Sequence, residues 1–192
     1  MDRVQAKSIY NVPNTLTSIR FGLAVAVLAL IPLERFTSAL IVFSIAVSTD
    51  WMDGYWARKY GQITKLGRIF DPFVDKIIIC GTFIALVEVS DSGVKSWMAT
   101  IVVGRELLVT SLRAMIESRG GDFSARDLGK WKMVLQCAAA IAILLMLIVP
   151  QIAWIAFVAP LLLWAAILLT IYSGYDYVMI AARVLSQSSS EL

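Results

Sequence analysis

Between residues 50 and 75 the chain runs Asp50-Trp51-Met52-Asp53-Gly54-Tyr55-Trp56-Ala57-Arg58, then eight residues, then Gly67-Arg68-Ile69-Phe70-Asp71-Pro72-Phe73-Val74-Asp75. Four aspartates, Asp50, Asp53, Asp71 and Asp75, fall in two apolar segments. A carboxylate in hydrocarbon costs on the order of several kcal/mol and is retained mainly for function. Asp50 and Asp53 are i and i+3, and Asp71 and Asp75 are i and i+4, so each pair shares one helix face. Counted from Thr64, Asp53 and Asp75 are each 11 residues away. Two antiparallel helices joined there would hold all four carboxylates at similar depth. Four like charges at one point need protonation or cations, since burial alone raises a carboxylate pKa. A pair of divalent ions satisfies all four groups and makes a seat for a phosphate-bearing substrate. Gly54 and Gly67 leave room for close approach of a ligand, and Arg58 can fork onto phosphate oxygens.

The rest of the chain agrees with a membrane setting. Of 192 residues, 59% are hydrophobic, and the formal net charge is +3; mean hydropathy is +0.77. An ordinary soluble domain is excluded. Apolar segments of about 20 residues read as transmembrane helices. Six are expected, at 14–33, 36–59, 67–89, 95–117, 128–149 and 152–184. Pro32, Gly61, Ser90 to Gly93, Gly120-Gly121 and Pro150 punctuate them. The connections are short, so successive helices should be antiparallel neighbours. Met1–Tyr10 suits a short interfacial helix. The fold expected is an all-α integral membrane protein: one domain over 1–192, six transmembrane helices and a short N-terminal interfacial helix.

Charge placement orients it. Among 17 Lys and Arg residues, Arg35 and Lys95 stand apart from clusters at the N-terminus, the second and fourth connections and the tail. The positive-inside rule puts both termini in the cytoplasm. No signal peptide or transit segment is read at the N-terminus, which favours a bacterial inner (cytoplasmic) membrane. Cys80 and Cys137 read as small buried hydrophobes with no disulfide framework. Histidine is absent, so a metal site must be built from oxygen, which favours Mg²⁺, Mn²⁺ or Ca²⁺ over zinc.

The region from about 105 to 136 reads as acceptor-selecting. Arg105 and Arg113 in the fourth span are costly unless they line a polar cavity. Glu106 either pairs with an arginine or performs chemistry. Lys130 and Lys132 either snorkel at the cytoplasmic edge or join Arg105 and Arg113 around an anionic acceptor such as a phosphorylated alcohol. Trp51, Trp56, Trp131, Trp154 and Trp164 read as interfacial anchors or packing rather than a nucleotide platform. Tyr172, Tyr175, Asp176 and Tyr177 give the last span a polar face suited to a homodimer contact. Nothing points to nucleic acid.

The 50–75 segment resembles the signature of the CDP-alcohol phosphatidyltransferases, D-x-x-D-G-x-x-A-R-x(8)-G-x-x-x-D-x-x-x-D. Asp50, Asp53, Gly54, Ala57, Arg58, Gly67, Asp71 and Asp75 meet every fixed position. The resemblance implies that the four aspartates hold two divalent ions (Mg²⁺ or Mn²⁺) on a cytidine diphosphate in a cytoplasm-facing cavity. It implies that Gly54, Ala57 and Gly67 line the nucleotide pocket, and that Asp75 is the base for the incoming hydroxyl. Further matches resemble the phosphatidylglycerophosphate synthases within the family. They are Asn11, Pro13, Asn14, Leu16, Thr17 and Arg20; Arg105, Glu106, Leu112 and Arg113; and Gly129, Lys130, Lys132 and Gln136. Met133 departs from the threonine often found there. The activity implied is phosphatidyl transfer from CDP-diacylglycerol to sn-glycerol 3-phosphate, with Arg105, Arg113, Lys130 and Lys132 on the acceptor phosphate. Cardiolipin synthesis or an inositol-phosphate acceptor are the rivals within the family. A divalent-cation transporter is the rival outside it, but it leaves Gly54, Arg58 and Gly67 without a use.

Overall fold

A computed structural model describes residues 12–60, 65–118 and 127–188. Met1–Tyr10, expected to be interfacial, lies outside the described residues, as do the side chains at 12–14, 16, 50–69, 71, 117, 118, 127, 128, 130 and 184–188. The described elements are helical: α1 (Val12–Leu30), α2 (Phe36–Tyr60), α3 (Lys65–Val87), α4 (Ser96–Ser118), α5 (Asp127–Ile148) and α6 (Ala153–Ser188), with a 3₁₀ turn at Ser90–Ser92 before α4. Each expected span is found as a helix, with ends shifted by a few residues.

The helix ends have local causes. After α1, the amide of Arg35 donates to the carbonyl of Leu30 (3.0 Å) and that of Glu34 to Ile31 (2.9 Å). This is a Schellman closure, with Glu34 in the left-handed region (φ 57°) where glycine is usual. Between α3 and α4, Gly93 takes φ 72°. There the Ser92 hydroxyl donates to the Leu86 carbonyl (2.6 Å) and accepts from the Val94 amide (3.1 Å). Within the helices, Ser48, Thr49, Thr100, Thr110, Ser111 and Thr170 each donate to the carbonyl four residues back. Intrahelical partners of this kind are what a hydroxyl needs where water is scarce.

Pairwise packing closes a ring in the order α1, α2, α5, α6, α4, α3 and back to α1. The expectation that successive helices are neighbours therefore holds for α1–α2, α3–α4 and α5–α6. Among the described residues it does not hold for α2–α3 or α4–α5, where other helices take the neighbouring place. Both exceptions flank the polar connections, so α2 and α3 meet through α1, which packs on both. The core is rich in small residues, among them Ala24, Ala39, Ala46, Ala139, Ala140 and Ala166, each wholly buried. Small side chains let backbones approach, the main attraction between helices in lipid.

The outer surface is apolar. Trp154, Phe157, Leu161, Trp164 and Leu168 form one exposed stripe along α6. Among the described residues, two segments are long and apolar enough to cross a membrane by length and composition, Trp131–Ile148 and Ala153–Arg183; Thr17–Leu30 and Phe36–Thr49 are shorter apolar stretches. Charged residues keep α3 and α4 below that measure. The architecture is an all-helical one of membrane type.

Gly81 sets the α1–α3 approach. A Cβ there would stand 2.5 Å from Cδ2 of Leu28, at the end of a flexible side chain. Gly81→Ala should be absorbed by a Leu28 rotamer change, whereas Gly81→Leu should lower stability by about 1–3 kcal/mol through overpacking. Thermal melts of the purified protein in detergent measure both.

Candidate active site

Four helices bring charged side chains to the same half of the ring, next to the polar connections. A cleft of about 180 Å³ opens there, lined by Pro72, Asp75, Lys76 and Ile79 of α3, Glu106 of α4, and Lys132, Met133 and Gln136 of α5. On α3, Asp75, Lys76 and Ile79 follow helical spacing toward one face. On α5, Lys132 and Gln136 are i and i+4 and do the same.

Asp75 is 27% exposed. Behind it, Nη1 of Arg20, from α1, donates to Asp75 Oδ1 at 3.0 Å. Arg20 is only 1% exposed. Its motif match and its charge were legible in the sequence; its partner, 55 residues away, was not.

On the opposite wall Glu106 accepts from two cations. Nη1 of Arg105 donates to its Oε1 at 3.1 Å, and Nζ of Lys132 donates to the same oxygen. The alternative that Glu106 pairs with an arginine is thus realised, with a lysine added. Arg105 is anchored further: its Nε donates to Ser173 Oγ of α6 at 3.0 Å, and its guanidinium lies 5.2 Å from the Tyr177 ring centroid, a cation–π distance. Gly174 permits this, since a Cβ there would stand 3.3 Å from Arg105 Cγ. Breaking a buried pair by removing one partner costs about 3–5 kcal/mol, so these contacts hold α4, α5 and α6 together as well as shaping the cleft.

The structure distributes the expected site residues unevenly. Lys132 is buried and faces the cleft rather than snorkelling to the edge. Arg105 reaches the cleft through Glu106 and does not line it. Arg113 is on α4 away from the cleft lining, with its Nε buried and without a hydrogen bond among the described residues. The side chain of Lys130 lies outside the described residues. So do those of Asp50, Asp53, Gly54, Ala57 and Arg58 on α2 and of Gly67 and Asp71 on α3. Among the described residues no three acidic, histidine or cysteine side chains form a metal cluster, and Asp75 is the one signature aspartate whose side chain is described. Cys80 and Cys137 are free thiols, as expected. Trp131 and Trp154 are about two-thirds exposed on the outer surface, in keeping with anchors rather than a base-stacking platform.

One cleft residue, Lys76, was missed in the sequence, and the partner of another, Gln136, was not legible there. Lys76 lines the cleft, and its Nζ donates to Thr110 Oγ1 at 2.6 Å; the lysine follows directly on Asp75, which was the only available signal. Gln136 Nε2 donates to Thr170 Oγ1 of α6 at 2.9 Å. That contact turns a motif position into a strut between α5 and α6.

Residues 10–173 match the model of the CDP-alcohol phosphatidyltransferase family. The chain is 32% identical over 185 residues to the CDP-diacylglycerol–glycerol-3-phosphate 3-phosphatidyltransferase of Bacillus subtilis, covering 88% of this chain and 94% of that one. It is 35% identical over 172 residues to the enzyme of the same name from Rickettsia bellii, covering 87% and 93%. With that of Haemophilus influenzae it shares 31% over 183 residues, covering 90% and 94%. A signature complete from Asp50 to Asp75, a ring of six helices among the described residues and likeness over most of the chain agree: the protein belongs to the CDP-alcohol phosphatidyltransferase family.

Proposed function

We propose that the chain transfers the phosphatidyl group of CDP-diacylglycerol to sn-glycerol 3-phosphate, giving phosphatidylglycerophosphate and CMP. The observation that carries this reading is the cleft, where a carboxylate suited to take a proton, Asp75, faces the same space as two lysines, Lys76 and Lys132. A hydroxyl-bearing anion needs both. The cleft volume lies below the roughly 300–1,000 Å³ of drug-sized sites, in keeping with a small polyol phosphate. Relatives bearing that enzyme's name support the choice of acceptor.

In the reaction, Asp75 removes the proton of the acceptor's primary hydroxyl. The freed oxygen bonds to the phosphatidyl phosphorus, and the bond from that phosphorus to the bridging oxygen breaks, releasing CMP. A positioned base of this kind contributes about 10²–10⁴-fold. Lys132, held by Glu106, and Lys76, held by Thr110, attract the acceptor phosphate as point charges. Arg113 and Lys130 are proposed to add charge along its approach, and Arg105 to act through Glu106.

A divalent pair fits the donors. Asp50, Asp53, Asp71 and Asp75 offer only oxygen, the sequence has no histidine, and Mg²⁺ or Mn²⁺ prefers such a set. When bound, the ions would neutralise charge on the diphosphate. Gly54, Ala57, Arg58 and Gly67 are proposed to seat the nucleotide and its diphosphate. We place the whole chain in one domain that crosses a bacterial cytoplasmic membrane six times, with both termini and the cleft on the cytoplasmic side and lipid around the apolar exterior. A homodimer is proposed through the face of α6 that carries the exposed Tyr172 and Tyr175; Tyr177, expected on that face, is buried against Arg105 instead.

The purified protein in detergent should release CMP from CDP-diacylglycerol with sn-glycerol 3-phosphate, and not with serine, an inositol phosphate or phosphatidylglycerol. Asp75→Asn should lower turnover by about 10²–10⁴-fold. A chelator should abolish turnover, and Mg²⁺ or Mn²⁺ should restore it. Turnover with a different acceptor alone would overturn the acceptor assignment. Lys132→Met should raise the KM for glycerol 3-phosphate by about 10–100-fold, the value of a hydrogen bond to a charged group. The KM for CDP-diacylglycerol should change by less than about threefold in the same steady-state kinetics.

A further inference from the structure

We propose that Arg20 is the positioning residue of Asp75: from behind the cleft, its guanidinium fixes the carboxylate in the orientation from which it takes the acceptor's proton. The inference rests on the reading of Asp75 as the base. Arg20 lies in the first half of α1, and Asp75 lies in the first half of α3, on a helix packed directly against it. Nη1 donates to Oδ1 at 3.0 Å. The two ends of this pair stand in different surroundings. Asp75 lines the cleft; Arg20 does not line it and is 1% exposed.

That asymmetry separates two roles for an arginine near a diphosphate site. An arginine that grips substrate needs its guanidinium in the cavity, with donors turned to the ligand. Arg20 is enclosed by protein and turned to the base. An aspartate pivots on two torsions, and a charged hydrogen bond from a buried, planar guanidinium restricts them. Groups that orient a reacting residue from behind typically matter by about 10–100-fold when removed. The pair also explains why Asp75 stays at this depth with its charge, since a carboxylate in an apolar helix bundle requires a counter-charge.

The test compares Arg20→Met and Arg20→Lys with the unaltered protein in detergent, measuring kcat and both KM values. Arg20→Met should lower kcat by about 10–100-fold, and Arg20→Lys, which keeps the charge without the fork, should recover about a tenth or more of the lost turnover. Both KM values should stay within about threefold, because the interaction serves the transition state and not substrate binding. A tenfold or greater rise in the KM for CDP-diacylglycerol at unchanged kcat would make Arg20 a substrate ligand and overturn the proposal. So would full kcat in Arg20→Met or Arg20→Gln. Melting curves identify folded protein; if Arg20→Met does not fold, Arg20→Lys and Arg20→Gln carry the same comparison. Asp75→Asn separates the two readings. Normal turnover in Asp75→Asn removes the base assignment and this inference with it. Inactive Asp75→Asn beside a fully active Arg20→Met or Arg20→Gln removes this inference alone.

Discussion

A charge held inside an apolar helix bundle must find an opposite charge, and the polar half of this protein follows from that requirement. Asp75 is met by Arg20, and Glu106 by Arg105 and Lys132. The Arg20–Asp75 and Lys132–Glu106 pairs join different helices, so charge satisfaction and helix placement are one problem. A misplaced α1 would strand Asp75, and a misplaced α5 would strand Lys132. Such pairs are poor sources of net stability, because taking both partners out of water costs nearly what their attraction returns. They penalise the wrong arrangement heavily while rewarding the right one only slightly. Stability comes instead from the other half of the ring, where Ala24, Val27, Phe43, Phe83, Leu86, Ile143 and Ile167 pack together.

Much of this was legible in the sequence, because apolar length and turn residues act locally. The six long apolar segments are helices among the described residues, and Pro32, Ser90 to Gly93 and Pro150 stand at their ends. The signature was legible for the same reason: its spacing is a property of helices, not of the fold around them. Asp75, Lys130 and Lys132 could be singled out without knowing what they face.

Partners could not be read, because they are set by the order of helices in the ring. Sequence neighbours were assumed to be spatial neighbours, and among the described residues α2–α3 and α4–α5 depart from that. With α1 packed on α3, an arginine counted as an orientation signal becomes the partner of Asp75. With α6 packed on α4, Ser173 and Tyr177 enclose Arg105, and that side chain is pulled away from the cleft it was expected to line. Lys76 was passed over for the opposite reason. Nothing in one lysine beside an aspartate distinguishes a cleft residue from a snorkelling one until the facing helix is known.

The pairing also decides what the cleft can attract. Asp75 and Glu106 supply two negative charges, while Lys76, Lys132, Arg20 and Arg105 supply four positive ones, a surplus of two before Asp50, Asp53, Asp71 and any bound metal are counted. The arginines stand behind the carboxylates and are held there by them, so the surplus appears at the lysines that face the cavity. A phosphate monoester carries about −1.5 to −2 at neutral pH, close to that surplus. A neutral alcohol would leave it uncompensated. A phosphorylated acceptor therefore suits the described charges, with Lys76 and Lys132 lining the cavity and the arginines held behind it by the carboxylates.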